Sequence, residues 1–154
     1  MKAPLKAADI MTSDPFVITK NETVARAAAI MRDLDIGCVP VVDDPSTMTL
    51  LGLITDRDIA IRCVAEAHGT SCMVAEHMTP MPLDTVHPND DLETIVHLME
   101  TEQVRRIPVV SEANTLQGMI AQADLATKVG HENAALVEAL VQRVSMPHLR
   151  QVPA

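Results

Sequence analysis

Aromatic side chains are all but missing from this chain: Phe16 stands alone, with no Trp and no Tyr. The core must therefore be aliphatic, built from Val, Ile, Leu, Ala and ten Met. A planar ligand would have to lie between aliphatic side chains, since rings to stack on are lacking. Basic charge is scarce too. Twelve Lys and Arg face 21 Asp and Glu, a formal net charge of −9, and the one dense basic spot is Arg105-Arg106. Nucleic-acid binding needs a concentrated basic surface, so no such partner is expected. A small phosphate-bearing ligand stays open, because one or two well-placed cations suffice for it.

Other absences narrow the class further. Cys38, Cys63 and Cys72 are odd in number and lack CxxC spacing, which argues against a disulfide framework and fits a reducing cytosol. No stretch approaches the roughly 18–20 apolar residues of a membrane helix, and the opening MKAPLKAADIM lacks the apolar run of a secretory signal. A soluble, cytoplasmic protein is expected, with no membrane partner. The five Gly are spread singly, so neither GxGxxG nor GxxxxGK occurs. His87, His97, His131 and His148 are scattered, and none pairs with a Ser, Cys or carboxylate as a nucleophile–base couple would. Nothing marks a catalytic site, and no enzyme is expected.

What the chain does have is an internal repeat. "AADIMTSDP" answers to "VAEHMTPMP", "TVARAAAIM" to "DLETIVHLM", "CVPVVDD" to "RIPVVSE", and "GLITDRDIA" to "GMIAQADLA". Met31 and Met99, like Pro40 and Pro108, are 68 positions apart, and Gly52 and Gly118 are 66 apart. The two-residue difference falls in the turn "DDPSTMTL", where insertions belong. Each copy reads as strand, helix, strand, strand, helix. Val24, Ala27, Ala28 and Met31, and then Leu92, Ile95, Val96 and Met99, take helical spacing, behind the N-cap residues Thr23 and Asp91. Strands follow over Cys38 to Val42 and Ile107 to Val110, where the prolines point to sheet edges or strand starts. Further strands run from Leu50 to Ile54 and from Leu116 to Ile120, with closing helices near Asp56 and Gln122.

These spans give repeat 1 over 1–67, a linker over 68–76, repeat 2 over 77–129 and a helical tail over 130–154. In the tail Ala135, Leu136, Ala139, Leu140 and Val144 share a face suited to packing or a dimer contact. One βαββα unit leaves a sheet face uncovered, so the fold class is α+β, with two units packed face to face about an approximate two-fold axis.

The segment "GLITDRDIA" has most of the chemistry. Thr55 stands at a helix N-cap with Asp58 three residues on, either a capping box or an anion site formed by backbone N–H groups, the Thr55 hydroxyl and the Arg57 guanidinium. Asp58 is an acceptor-only carboxylate suited to a ribose diol. The second copy keeps Asp124 but has Ala121 and Ala123 in place of Thr55 and Arg57. A carboxylate kept without its capping hydroxyl reads more easily as a ligand contact.

Block order, the x-x-P-V-V strands and the G-h-h-T-x-x-D ending, present twice over about residues 3 to 128, strongly resemble the CBS (cystathionine-β-synthase-type) domain family. The resemblance implies a regulatory module, with a cleft between repeats for AMP, ADP, ATP or S-adenosylmethionine, and no further cofactor. It also implies a homodimer and a conformational signal to a protein target that the sequence does not name. Carried over residue by residue, one site combines Thr55, Arg57 and Asp58 with Thr79, Thr85, Arg105 and Arg106. A weaker site combines Asp124 with Thr12, Val17, Ile36, Gly37 and Cys38. The competing reading is a dimerisation or adaptor protein whose cleft has lost its ligand.

Cys63, His68, Cys72 and His77 form a Cys-x4-His-x3-Cys-x4-His run. Soft S and N donors suit zinc, but the tight CxxC or HxxxH knuckle is missing. The run reads as linker residues and a core thiol, with no metal.

Overall fold

The computed structural model describes residues 3–129 and 133–145. His131 and His148, named above, lie outside the described residues.

The repeat in sequence becomes a repeat in space. Helices α1 (Ala7–Ile10), α2 (Val24–Leu34) and α3 (Asp56–Asp58) belong to the first half, and α3 continues as a π-helical stretch, Ile59–Val64. Helices α4 (Val74–His77), α5 (Leu92–Glu102), α6 (Gln122–Lys128) and α7 (Ala134–Ser145) follow. The strands are β1 (Thr12–Ser13), β2 (Ile18–Thr19), β3 (Cys38–Val42), β4 (Leu50–Thr55), β5 (Thr79–Pro80), β6 (Arg106–Val110) and β7 (Leu116–Ala121). Thr23 and Asp91 cap α2 and α5, each accepting from the backbone N–H three residues on. Asp35 and Gln103 close the same helices in the left-handed conformation, which stops each helix and turns the chain into the next strand. Of the expected α2 core residues, Val24, Ala27 and Met31 are buried. Ala28 faces out and Ile30 takes its place.

The two sheets have the orders β2-β3-β4-β5 and β1-β7-β6, and each borrows an edge from the other half. Strand β1 pairs antiparallel with β7 (Thr12 opposite Met119), and β5 pairs with β4 (Leu53 opposite Thr79). The helices before them are exchanged as well. Ala7 and Ile10 of α1 lie in the core of Ile95, Met99, Ile107 and Leu125, while Val74 of α4 lies in the core of Val24, Ile30, Val41 and Ile54. Backbone bonds fasten the exchange: Ala7 N–H to Asp90 C=O and Val24 N–H to Cys72 C=O, both 2.8 Å. A third core of Val42, Leu50, Val110 and Leu116 joins the halves. Helix α7 covers repeat 2 with Val137, Leu140 and Val144, and Arg143 meets Glu100 at 3.1 Å.

Three expectations change. The stretch 68–76 is not all linker, because α4 starts at Val74 and packs into repeat 1. In α7, Ala135 is exposed and Val137 is buried instead. Pro40 lies in β3, which has a neighbour on each side. Its repeat partner gives the reason: the Pro108 carbonyl accepts from Val86 N–H at 3.1 Å, and Pro108 N, on the same side of the strand, sits where that parallel pairing begins. The missing N–H therefore costs no ladder bond.

Candidate functional site

The turn from α2 into β3 and the turn from β7 into α6 face each other across a cleft of about 570 Å³. That volume suits a small molecule. Thr12, Asp14, Pro15 and Phe16 form one wall, Leu34 to Cys38 with Pro40 a second, and Met119 to Ala121 with Ala123 and Asp124 a third. Arg106 completes the lining. The left-handed Asp35 swings Ile36 and Gly37 onto the rim. A Cβ at Gly37 would lie 2.8 Å from Arg106 Nη2 and 3.0 Å from Asp56 Oδ2, so the missing side chain leaves room for the guanidinium.

Charge in the cleft is mostly negative: Asp14, Asp35 and Asp124 line it, against Arg106 as the one cation among the described residues. Arg106 makes no ion pair among the described residues. Asp124 Oδ2 accepts the Ala121 N–H at 2.7 Å, and Oδ1 stands 3.5 Å from Lys128 Nζ. Asp124 thus caps its helix without a hydroxyl partner, which removes the sequence argument that it needs a ligand to explain it. A carboxylate has lone pairs to spare, so capping leaves Oδ1 able to accept from a ligand. Burial pushes the Cys38 thiol up to about 12; nearby Arg106 opposes this, and Asp58 and Asp56 add to it. Cys38 is therefore an inert wall, not a nucleophile.

Of the second group, Thr55 and Asp58 form a full capping box: Thr55 N–H to Asp58 Oδ2 and Asp58 N–H to Thr55 Oγ1, each 3.0 Å. Arg62 Nε stands 3.8 Å from Asp58 Oδ1. Arg57 and Arg105 are exposed, and Thr79 and Thr85 are half-buried, with Thr79 held in β5 against Leu53. Arg106, grouped with Asp58 on sequence, lines the Asp124 cleft. Val17, grouped with Asp124, packs against the third core. Thr12, Ile36, Gly37 and Cys38 do meet Asp124 around one space.

A model of the CBS domain family matches residues 7–64 and again residues 74–131. The chain belongs to the CBS domain family. The CBS domain-containing protein YhcV of Bacillus subtilis is 36% identical over 127 residues, spanning 82% of this chain and 87% of that protein. Hypoxic response protein 1 of Mycobacterium tuberculosis is 35% identical over 120 residues, 78% of this chain and 82% of its own length. A crystal structure of Hypoxic Response Protein I with two coordinated zinc ions matches with a TM-score of 0.73 and 33% identity, covering 82% of this chain and 100% of that one. The crystal structure of CBSX2 in complex with AMP matches with a TM-score of 0.69 and 25% identity, covering 79% of this chain and 93% of that one.

Two features of this CBS pair escaped the sequence reading. Phe16 lines the cleft and is 51% exposed, so a ring is available to a planar ligand after all. Its position beside "SDP" at the end of β1 was the available signal. Cys63, Cys72 and His77, set aside for want of tight spacing, stand with their ligating atoms within 4.8 Å of one another. The packing of α4 against the π-helical stretch brings them together, a tertiary contact that the loose spacing of the run does not show.

Proposed function

We propose that this CBS pair is a regulatory module whose cleft between Ile36–Cys38 and Asp124 holds an adenosine-type ligand. The observation that carries this reading is that both repeats wall the space, with an acceptor carboxylate and, among the described residues, a single unpaired cation in its lining. Asp124 accepts from the ribose hydroxyls, Arg106 donates to phosphate, and the base lies between Phe16 and the apolar rim of Leu34 and Ile36. The AMP complex of CBSX2 supports the ligand class.

The charge balance ranks the ligands. Three carboxylates against one guanidinium disfavour each added phosphate, so AMP and the sulfonium-bearing S-adenosylmethionine bind better than ATP. The Asp124 cleft takes precedence over the group around Thr55, Arg57 and Asp58, because Arg106 stands in it. A ligand bridging the repeats favours the arrangement it fits best, by no more than its differential affinity. That shift is the signal passed to a protein partner.

A thermal-shift panel of adenosine, AMP, ADP, ATP and S-adenosylmethionine tests the reading. Ligand at 100-fold above its Kd adds about 2.7 kcal/mol, so AMP or S-adenosylmethionine at sub-millimolar concentration should raise Tm by several degrees, and ATP by less. A flat panel would favour the adaptor reading, in which the cleft has no ligand.

A further inference from the structure

Apart from the residues that line the cleft, three soft or borderline donors converge beside repeat 1. Cys63 comes from the π-helical stretch, Cys72 from the end of the connecting segment and His77 from the last residue of α4, and their ligating atoms all lie within 4.8 Å of one another. Cys63 and His77 are each only 3% exposed. His77 Nε2 is buried with no hydrogen-bond partner, the one such side-chain N or O among the described residues. An orphaned buried polar atom costs about 1–3 kcal/mol, so it calls for a partner. The Cys63 thiol makes long contacts, 3.8 Å to the carbonyls of His68 and Gly69, and lies beside the Cys72 thiol.

We propose that Cys63, Cys72 and His77 bind one zinc ion. Two thiolates and an imidazole are a zinc donor set. Bonds of about 2.3 Å to sulfur and about 2.0 Å to nitrogen in a tetrahedron put donors roughly 3.5–3.8 Å apart, so the cluster closes by side-chain rotation. The exposed His68 ring stands nearby, its centroid 5.3 Å from that of His77, and water or this imidazole completes the fourth position. A Cys63–Cys72 disulfide, the chemical rival, would leave His77 Nε2 as orphaned as before. The ion has a structural role: it clamps the exchanged helix α4 onto the end of repeat 1, where Arg62 Nη1 already donates to the His77 and Met78 carbonyls at 3.3 and 3.1 Å.

The test is elemental analysis of full-length protein purified without a metal-affinity tag and under reducing conditions. About one zinc per chain is expected, falling to background in Cys63→Ser, Cys72→Ser and His77→Gln. Removing zinc from the wild type with a chelator should lower Tm, and zinc chloride should restore it; this arm needs no variant to fold. Cobalt(II) added to the stripped protein should give the intense d–d bands of a tetrahedral site and a thiolate-to-cobalt charge-transfer band. The proposal is overturned if wild-type protein carries no zinc and takes up no cobalt, or if the three variants keep their zinc.

Discussion

Arg106 and Cys38 hold equivalent positions in the two repeats, each opening a strand opposite the end of the next (Arg106 with Ala121, Cys38 with Thr55). One is a cation reaching across into the cleft and the other a buried thiol in its wall. Repeat alignment located both positions. It could not say which cleft a long guanidinium would choose, because that depends on the space left by Gly37 and on how the two halves face each other. Asp124 was legible for the opposite reason: its carboxylate is short and its backbone is fixed by the helix start. The thiol carries a pH prediction. Its folded pKa lies above the ordinary thiol value, so its contribution is fully present below about pH 9 and is lost as pH rises toward 12. Urea titrations at about pH 8 and pH 10 should show a loss of stability that Cys38→Ala reduces by roughly 1 kcal/mol, one pH unit being worth about 1.4. An equal loss in both proteins would put the alkaline instability elsewhere.

At the scale of elements, the helices and main strands were readable from periodicity and caps, whereas the exchange of α1–β1 and α4–β5 was not. Those segments are two to four residues long, too short to carry a period, and nothing local tells a strand which half it will join. The trace they leave in sequence is the glycine pair. A Cβ at Gly52 would lie 2.4 Å from the Thr79 carbonyl oxygen, and one at Gly118 would lie 2.8 Å from that of Thr12. Each glycine lets the borrowed strand approach. Backbone cannot rotate away as a side chain can, so Gly52→Ala should cost roughly 1–3 kcal/mol, as overpacking does. Gly69, whose Cβ would find only Ser71 Oγ at 3.9 Å, is the control, and Gly69→Ala should leave the urea midpoint nearly unchanged. Equal effects of the two substitutions would contradict the close approach.

In the whole molecule, exchange makes the halves one unit: each core contains a helix from the other repeat, and the third core and the Thr49–Thr115 bridge join the sheets. A ligand in the cleft therefore touches both halves, which is the physical basis for reading the CBS pair as a sensor. Among the described residues no helix is long and apolar enough to cross a membrane. The central claim is that one cation and one carboxylate hold an adenosine-type ligand across the repeats. Calorimetry of AMP and of adenosine against wild type and Arg106→Ala tests it most directly. A charge-assisted hydrogen bond contributes about 1.5–3 kcal/mol, so the variant should lose at least about tenfold in AMP affinity while binding adenosine as the wild type does. Equal AMP affinity in the two proteins, or no heat from either ligand with the wild type, would contradict the account.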